Sequence, residues 1–169
     1  EGIEDAIYPV PENVEKKAGV LAFSKVKTVS ATCDDANAAV EYLIEKMSAK
    51  LGVDAKAGAN GEVVFEYTER DDEGYEVEVT EDGCIIKAGC KRSFIYAADT
   101  FLQLATEEGF NACTISDKPF MEVRGVHTAL TSKENLPFLK KLIKDVWVPM
   151  RYNTVFLQLS GGMRYDSYP

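Results

Sequence analysis

Residues Gly74 to Leu104 constrain the fold most, because the hydrophobic period changes within them from two to 3.6. Gly74-Tyr75-Glu76-Val77-Glu78-Val79-Thr80 alternates apolar and polar side chains, the pattern of a strand with one solvated face. Glu81-Asp82-Gly83 carries turn chemistry, and Cys84-Ile85-Ile86-Lys87-Ala88 reads as the return strand. With Asp82-Gly83 as a two-residue turn, Val79 pairs with Ile86 and Val77 with Ala88 on the inner face. Glu78 then lies opposite Lys87 on the outer face, an exposed pair that contributes ~0.2–1 kcal/mol. From Ser93 to Ala105 the spacing is helical, with Phe94, Ala97, Ala98, Phe101, Leu102 and Ala105 on one face. The helix can cover the apolar side of the hairpin, which points to an α/β architecture.

The preceding chain supplies more of the same layer. Tyr8-Pro9-Val10-Pro11 is extended, since each proline disfavours helix at the residue before it. Gly19 to Phe23 and Lys25 to Val29 read as short strands. Asp34-Asp35 offers capping carboxylates to a helix from about Asp35 to Leu51, built on Ala36, Ala39, Val40, Leu43, Met47 and Leu51 and stopped by Gly52. Gly58 to Gly61 is a loop, Glu62 to Tyr67 a strand, and Cys113-Thr114-Ile115 a short strand after a helix stop at Gly109. The expectation for residues 1–116 is an α+β domain: a mixed or antiparallel sheet with two helices, Asp35–Leu51 and Ser93–Glu107, on one face.

A chain of 169 residues holds one domain, or one and part of another. Its net charge of −9 argues against nonspecific partners that reward positive charge, so neither nucleic acid nor a membrane surface is expected. No apolar run approaches the ~20 residues of a membrane-spanning helix. Glu1 reads as a processed or chosen end. Cys33, Cys84, Cys90 and Cys113 show no CxxC spacing and there is one histidine, so no zinc site is expected. Cys84 and Cys90 fall about 20 Å apart on one extended segment, too far to bridge, and free buried thiols are expected. Glu69, Asp71, Asp72 and Glu73 do not have the EF-hand spacing and read as a solvated loop. No cofactor and no metal are implied.

The composition shifts at Ser116-Asp117-Lys118-Pro119, and residues 117–169 form a second region. Val123 to Leu130 is a strand candidate. Asn135 is placed to cap a helix whose buried face is Phe138, Leu139, Leu142, Ile143, Val146 and Trp147, ending at Pro149. Asn153 to Leu159 is nearly continuous apolar sequence, the mark of a strand covered on both faces. Strand, helix and strand make a βαβ unit with parallel strands and a right-handed crossover. His127 reads as a packed or hydrogen-bonded core residue, the alternative being a catalytic base. Ser160-Gly161-Gly162 lacks the P-loop pattern and reads as a tight turn. Trp147 reads as core.

Several motifs, in order, carry a resemblance. Tyr8-Pro9-Val10-Pro11 is followed by Gly74-Tyr75-x-Val77-x-Val79 with Gly83 and Ile85-Ile86-Lys87-Ala88. Next come Ala97-Ala98-x-Thr100 and Leu102-Gln103-Leu104. Together they resemble the N-terminal accessory domain of glycoside hydrolase family 20, the β-N-acetylhexosaminidases. Ile115-Ser116-Asp117-Lys118-Pro119, Arg124-Gly125 and Tyr152-Asn153-Thr154 resemble the start of that family's catalytic (β/α)8 barrel.

The resemblance implies an accessory domain at 1–116 and, at 117–169, the first βαβ of a barrel that needs eight strands. It implies substrate-assisted hydrolysis, in which the sugar's 2-acetamido group attacks the anomeric carbon, a Glu protonates the leaving oxygen and the adjoining Asp steadies the acetamido group. That pair belongs to the fourth barrel strand, so no residue here takes a catalytic role. Where the family usually has an Asp, and three residues later a sugar-binding Arg, this chain has Ala129 and Ser132, with Lys133 next. Where it carries His residues and an Asp pair, this chain has Phe156, Gln158, Gly161 and Gly162. Substrate contacts would fall to strand-end loops, at Ser132, Lys133, Arg164, Tyr165 and Asp166. The implied reading is the N-terminal part of a glycosidase acting on terminal N-acetylhexosaminides or related glycosides, itself non-catalytic. Carbohydrate is the partner of the full-length protein, self-association of the barrel strands is expected, and an extracytoplasmic location follows from the resemblance alone. The alternatives are a non-catalytic scaffold or carbohydrate-binding module, or another glycosidase family with this accessory domain, such as the O-linked N-acetylglucosaminidases or α-glucuronidases.

Overall fold

The computed structural model describes residues 6–129 and 131–159. Two compact units are present, Glu1–Pro119 and Phe120–Pro169.

The first unit is built on seven strands and two helices. In chain order these are β1 (Asn13–Ala22), β2 (Thr28–Ala31), α1 (Asn37–Leu51), β3 (Lys56–Ala57), β4 (Val63–Tyr67), β5 (Tyr75–Val79), β6 (Cys84–Ala88), α2 (Lys91–Gln103) and β7 (Gly109–Asp117). The sheet order is β1-β7-β5-β6-β4-β2-β3. β2, β3, β4 and β6 pair in parallel, while β5 is antiparallel to both β6 and β7, and β1 to β7. The expected mixed sheet is therefore observed. α1 packs against α2, α1 rests on β2 and β3, and α2 rests on β5 and β6, so both helices cover one face.

Each helix earns its place by an apolar stripe. Ala39, Val40, Leu43 and Met47 of α1 and Phe94, Ala97, Ala98, Phe101 and Leu102 of α2 are buried, against Val63, Phe65, Val77, Val79, Ile86 and Ile115 of the sheet. The Phe101 and Phe110 rings stack with centroids 4.1 Å apart, and Phe23 meets Phe110 edge-on at 5.1 Å. Gly52 ends α1 in the left-handed conformation (φ 65°), with its N–H donating to the Ser48 carbonyl at 3.2 Å.

Five local expectations change. The strand expected at Gly19–Phe23 is the second half of a ten-residue β1, whose register shifts between Lys16 and Val20. Phe23–Lys25 is a 3-10 turn, and the following strand begins at Thr28. Asp34 and Asp35 lie in a 3-10 turn ahead of α1, and no side chain bonds back at either N-cap, Cys33 or Ala36, so their contribution is charge near the helix start. α2 begins at Lys91, with Cys90 as its extended N-cap, so the extended segment expected to join Cys84 to Cys90 ends at Ala88.

The fifth change is the hairpin register. Val79 pairs with Cys84, Val77 with Ile86 and Tyr75 with Ala88. The turn is centred on Glu81-Asp82, closed by the Thr80 N–H donating to the Gly83 carbonyl at 2.9 Å. Moving the turn back by one residue shifts the pairing by two and keeps the same side chains inward. Glu78 consequently lies opposite Ile85, not Lys87, and bonds instead to Lys17 Nζ at 2.7 Å. That bond holds the Glu78 carboxyl below its usual range.

In the second unit, β8 (Gly125–Ala129) and β9 (Thr154–Gln158) pair in parallel, joined through a 3-10 turn (Lys133–Asn135), α3 (Leu136–Leu142) and a π turn (Ile143–Trp147). The helical face expected to be buried is not: Phe138 is 69% exposed and Val146 is exposed. β9 is likewise uncovered on both faces, with Val155, Leu157 and Phe156 all exposed. His127, expected in a core, is exposed, and Trp147 is half-buried. These apolar residues have the pattern of covered elements, but among the described residues they stand exposed.

Candidate functional site

Parallel pairing sets the C-terminal ends of β8 and β9 side by side, with Ala129 opposite Gln158. The loop leaving β8 carries Ser132 and Lys133. Ser132 enters the 3-10 turn in extended conformation, and Asn135 Nδ2 donates to its Oγ at 3.2 Å. The Glu134 carboxyl is held below its usual range first by its own backbone N–H and then by Ser132. A carboxylate shifted downward accepts hydrogen bonds at neutral pH and is the wrong way round for a general acid. Ser132, exposed Lys133 and ionised Glu134 thus provide hydroxyl, ammonium and carboxylate groups suited to polar ligand atoms. Arg164, Tyr165, Asp166, Gly161 and Gly162 lie outside the described residues.

At the opposite end of the pair, two sequence motifs combine into one clamp. The Arg124 N–H donates to Asn153 Oδ1 at 3.0 Å, and the Asn153 N–H donates to the Arg124 carbonyl at 3.0 Å. Arg124 Nε reaches the Arg151 carbonyl at 2.7 Å, and Asn153 Nδ2 the Glu122 carbonyl at 2.7 Å. Gly125 follows because a Cβ there would stand 2.7 Å from the Phe156 ring. Arg124-Gly125 and Asn153-Thr154 therefore set the register of β8 and β9.

The first unit holds a polar framework that patterning does not reveal. The Tyr75 hydroxyl donates to Asp117 Oδ2 at 2.9 Å and lies 2.7 Å from Thr100 Oγ1, which is placed to donate to it. Asp117 Oδ1 accepts the Glu12 N–H at 3.0 Å. Gln103 Oε1 accepts the Tyr8 N–H at 2.7 Å, while its Nε2 donates to the Tyr8 carbonyl at 3.0 Å and to Asp99 Oδ2 at 3.1 Å. Tyr42 donates to Asp99 Oδ1 at 3.2 Å. Thr100 and Asp117 stand in the family motifs and Asp99 in neither motif nor stripe, yet all three are buried, and their hydrogen bonds are not displayed by the sequence. Tyr75→Phe is expected to cost about 1–3 kcal/mol, since the buried Asp117 carboxylate loses a donor and the Thr100 hydroxyl loses this contact. A urea titration showing no loss of midpoint would contradict this.

All four cysteines are free. Cys84 and Cys113 are buried, and burial pushes the Cys113 thiol up to about 11 and the Cys84 thiol well above its ordinary value. Both are therefore thiols, not thiolates, at neutral pH. Cys33 and Cys90 are partly exposed, against the expectation that all would be buried. The acidic loop is tied inward: Asp72 accepts from Arg70 Nε at 3.0 Å, and Glu73 lies 3.0 Å from Arg92 Nε. Among the described residues no group of three or more His, Cys, Asp or Glu is arranged to hold a metal ion. No helix of the described residues is long and apolar enough to cross a membrane.

A mixed sheet with two helices on one face, followed by a parallel strand pair, defines the class: an α+β domain whose buried polar groups serve structure. The family model for glycosyl hydrolase family 20, domain 2, matches residues 4–118, and the chain belongs to that family. Solved structures share the fold. The GH20 exo-β-N-acetylglucosaminidase of Vibrio harveyi, in complex with N-acetylglucosamine, is 24% identical with a TM-score of 0.79, over 94% of this chain and 26% of its own. The GH20 β-N-acetylhexosaminidase of Streptomyces coelicolor A3(2) is 19% identical with a TM-score of 0.77, over 92% and 35%. The chitobiase of Flavobacterium johnsoniae is 20% identical with a TM-score of 0.72, over 91% and 27%. The chain thus spans about a quarter to a third of these relatives. No curated protein matches the sequence.

Proposed function

We propose that this chain is the N-terminal portion of a glycosidase acting on terminal N-acetylhexosaminides or related glycosides, and that by itself it is non-catalytic. Residues 1–116 serve as the accessory domain, and residues 117–169 begin the (β/α)8 barrel. One observation carries this reading: the likeness to family 20 structures continues past the domain 2 match at 4–118 to cover 94% of this chain, yet reaches only 26% of the Vibrio harveyi enzyme. The parallel β8–β9 pair with its helical connection is consistent with the first step of such a barrel. Ser132 and Lys133 lie in the loop after β8, the end at which barrel enzymes bind substrate, and carbohydrate is their ligand in the complete protein; Arg164, Tyr165 and Asp166 join them in this reading on the family resemblance alone.

A second reading, a non-catalytic carbohydrate-binding or scaffold module, is favoured by Ala129, Ser132, Gly161 and Gly162 at the positions where the family usually presents polar sugar contacts. Reading the coding sequence beyond Pro169 separates the two. Several hundred further codons with an adjacent Asp-Glu pair support the enzyme; a stop codon directly after Pro169 overturns it in favour of the module.

A further inference from the structure

We propose that residues 7–12 form a strap that opens and closes as one unit, held by two side-chain latches coupled through α2. The strap precedes the β1 ladder, whose first pair is Asn13 with Ser116. Side chains take the place of a neighbouring strand. At one end the Gln103 amide both accepts the Tyr8 N–H and donates to the Tyr8 carbonyl, at 2.7 and 3.0 Å. At the other, Asp117 Oδ1 accepts the Glu12 N–H at 3.0 Å.

Both latches lead back to one turn of α2. The second Nε2 hydrogen of Gln103 goes to Asp99, and the second oxygen of Asp117 takes the Tyr75 hydroxyl, which lies against Thr100. Asp99, Thr100 and Gln103 are on adjacent positions of that turn, so any displacement that frees one end of the strap weakens the other. Within the strap only Ile7 and Pro11 are buried, while Tyr8 and Val10 are 63% and 66% exposed. Opening therefore uncovers little apolar surface compared with unfolding the sheet, which places the strap at the low-stability end of the domain. When open, it releases Tyr8 and Val10 and bares the sites of Ile7 and Pro11.

Amide hydrogen exchange on the full chain, followed residue by residue by NMR, tests this. The Tyr8 and Glu12 amides are expected to share one opening free energy, lower than that of Val77 and Ile86 and nearly independent of low urea. Gln103→Ala should accelerate exchange of both Tyr8 and Glu12 by the same factor, about tenfold or more. Asp117→Asn should likewise accelerate Tyr8 as well as Glu12. If Gln103→Ala accelerates Tyr8 and leaves Glu12 unchanged, the latches are independent and the proposal fails. It also fails if, in the unaltered chain, Tyr8 and Glu12 exchange only with Val77 and Ile86 through global unfolding.

Discussion

Phe101→Asp is expected to destabilise the first unit by about 4 kcal/mol or more, enough to leave a domain of ordinary stability largely unfolded. Phe101 is fully buried on α2 and stacks on Phe110, which in turn meets Phe23. Removing the ring forfeits its packing, and the carboxylate put in its place sits among Leu, Ile and Phe side chains. Leu43→Asp does the same to α1, since Leu43 is equally buried. Thermal unfolding followed by circular dichroism is the check. A melting temperature unchanged by either substitution would mean that the helices do not cover the sheet as described.

The second large effect concerns the second unit. The full chain is expected to self-associate, and a version ending at Pro119 to be monomeric, when both are measured by light scattering. Parallel strands are ordinarily covered on both faces. Here Phe156 is 55% exposed and Val155 and Leu157 are exposed, while among the described residues no further strand pairs with either outer edge of the β8–β9 pair. Such edges pair readily with a second copy, and a two-fold dimer is the commonest closed arrangement. Leu157→Lys, which charges an exposed side chain while leaving the backbone pairing with Thr128 in place, should shift the full chain toward monomer. A clean monomer whose Val155 and Leu157 amides resist exchange would show instead that the strands find cover within their own molecule.

The sequence showed the elements better than their connections. The Tyr75–Val79 and Cys84–Ala88 strands and the α2 face were legible because alternation and helical spacing are written directly in the order of residues. The register was not, since Thr80-Glu81-Asp82-Gly83 offers two good turns one residue apart and only the assembled sheet selects Glu81-Asp82. The α3 stripe was read correctly as apolar but wrongly as buried, because burial depends on neighbours that the stripe itself does not specify. The polar framework escaped as a network: Tyr8, Tyr75, Gln103 and Asp117 stood in the family motifs, but the bonds that join them, with Glu12 and Asp99, form only when distant parts of the chain are brought together. In the candidate site, Ser132 and Lys133 were legible as a strand-end loop, whereas the downward shift of Glu134 arises from a turn geometry that sequence does not display.

The most direct test of the account is hydrolysis of a chromogenic β-N-acetylglucosaminide by the complete protein that contains this chain, assayed beside residues 1–169 alone. The account predicts turnover by the complete protein and none above the blank by the isolated segment. A folded complete protein without turnover, or an isolated segment that hydrolyses the substrate, would contradict it.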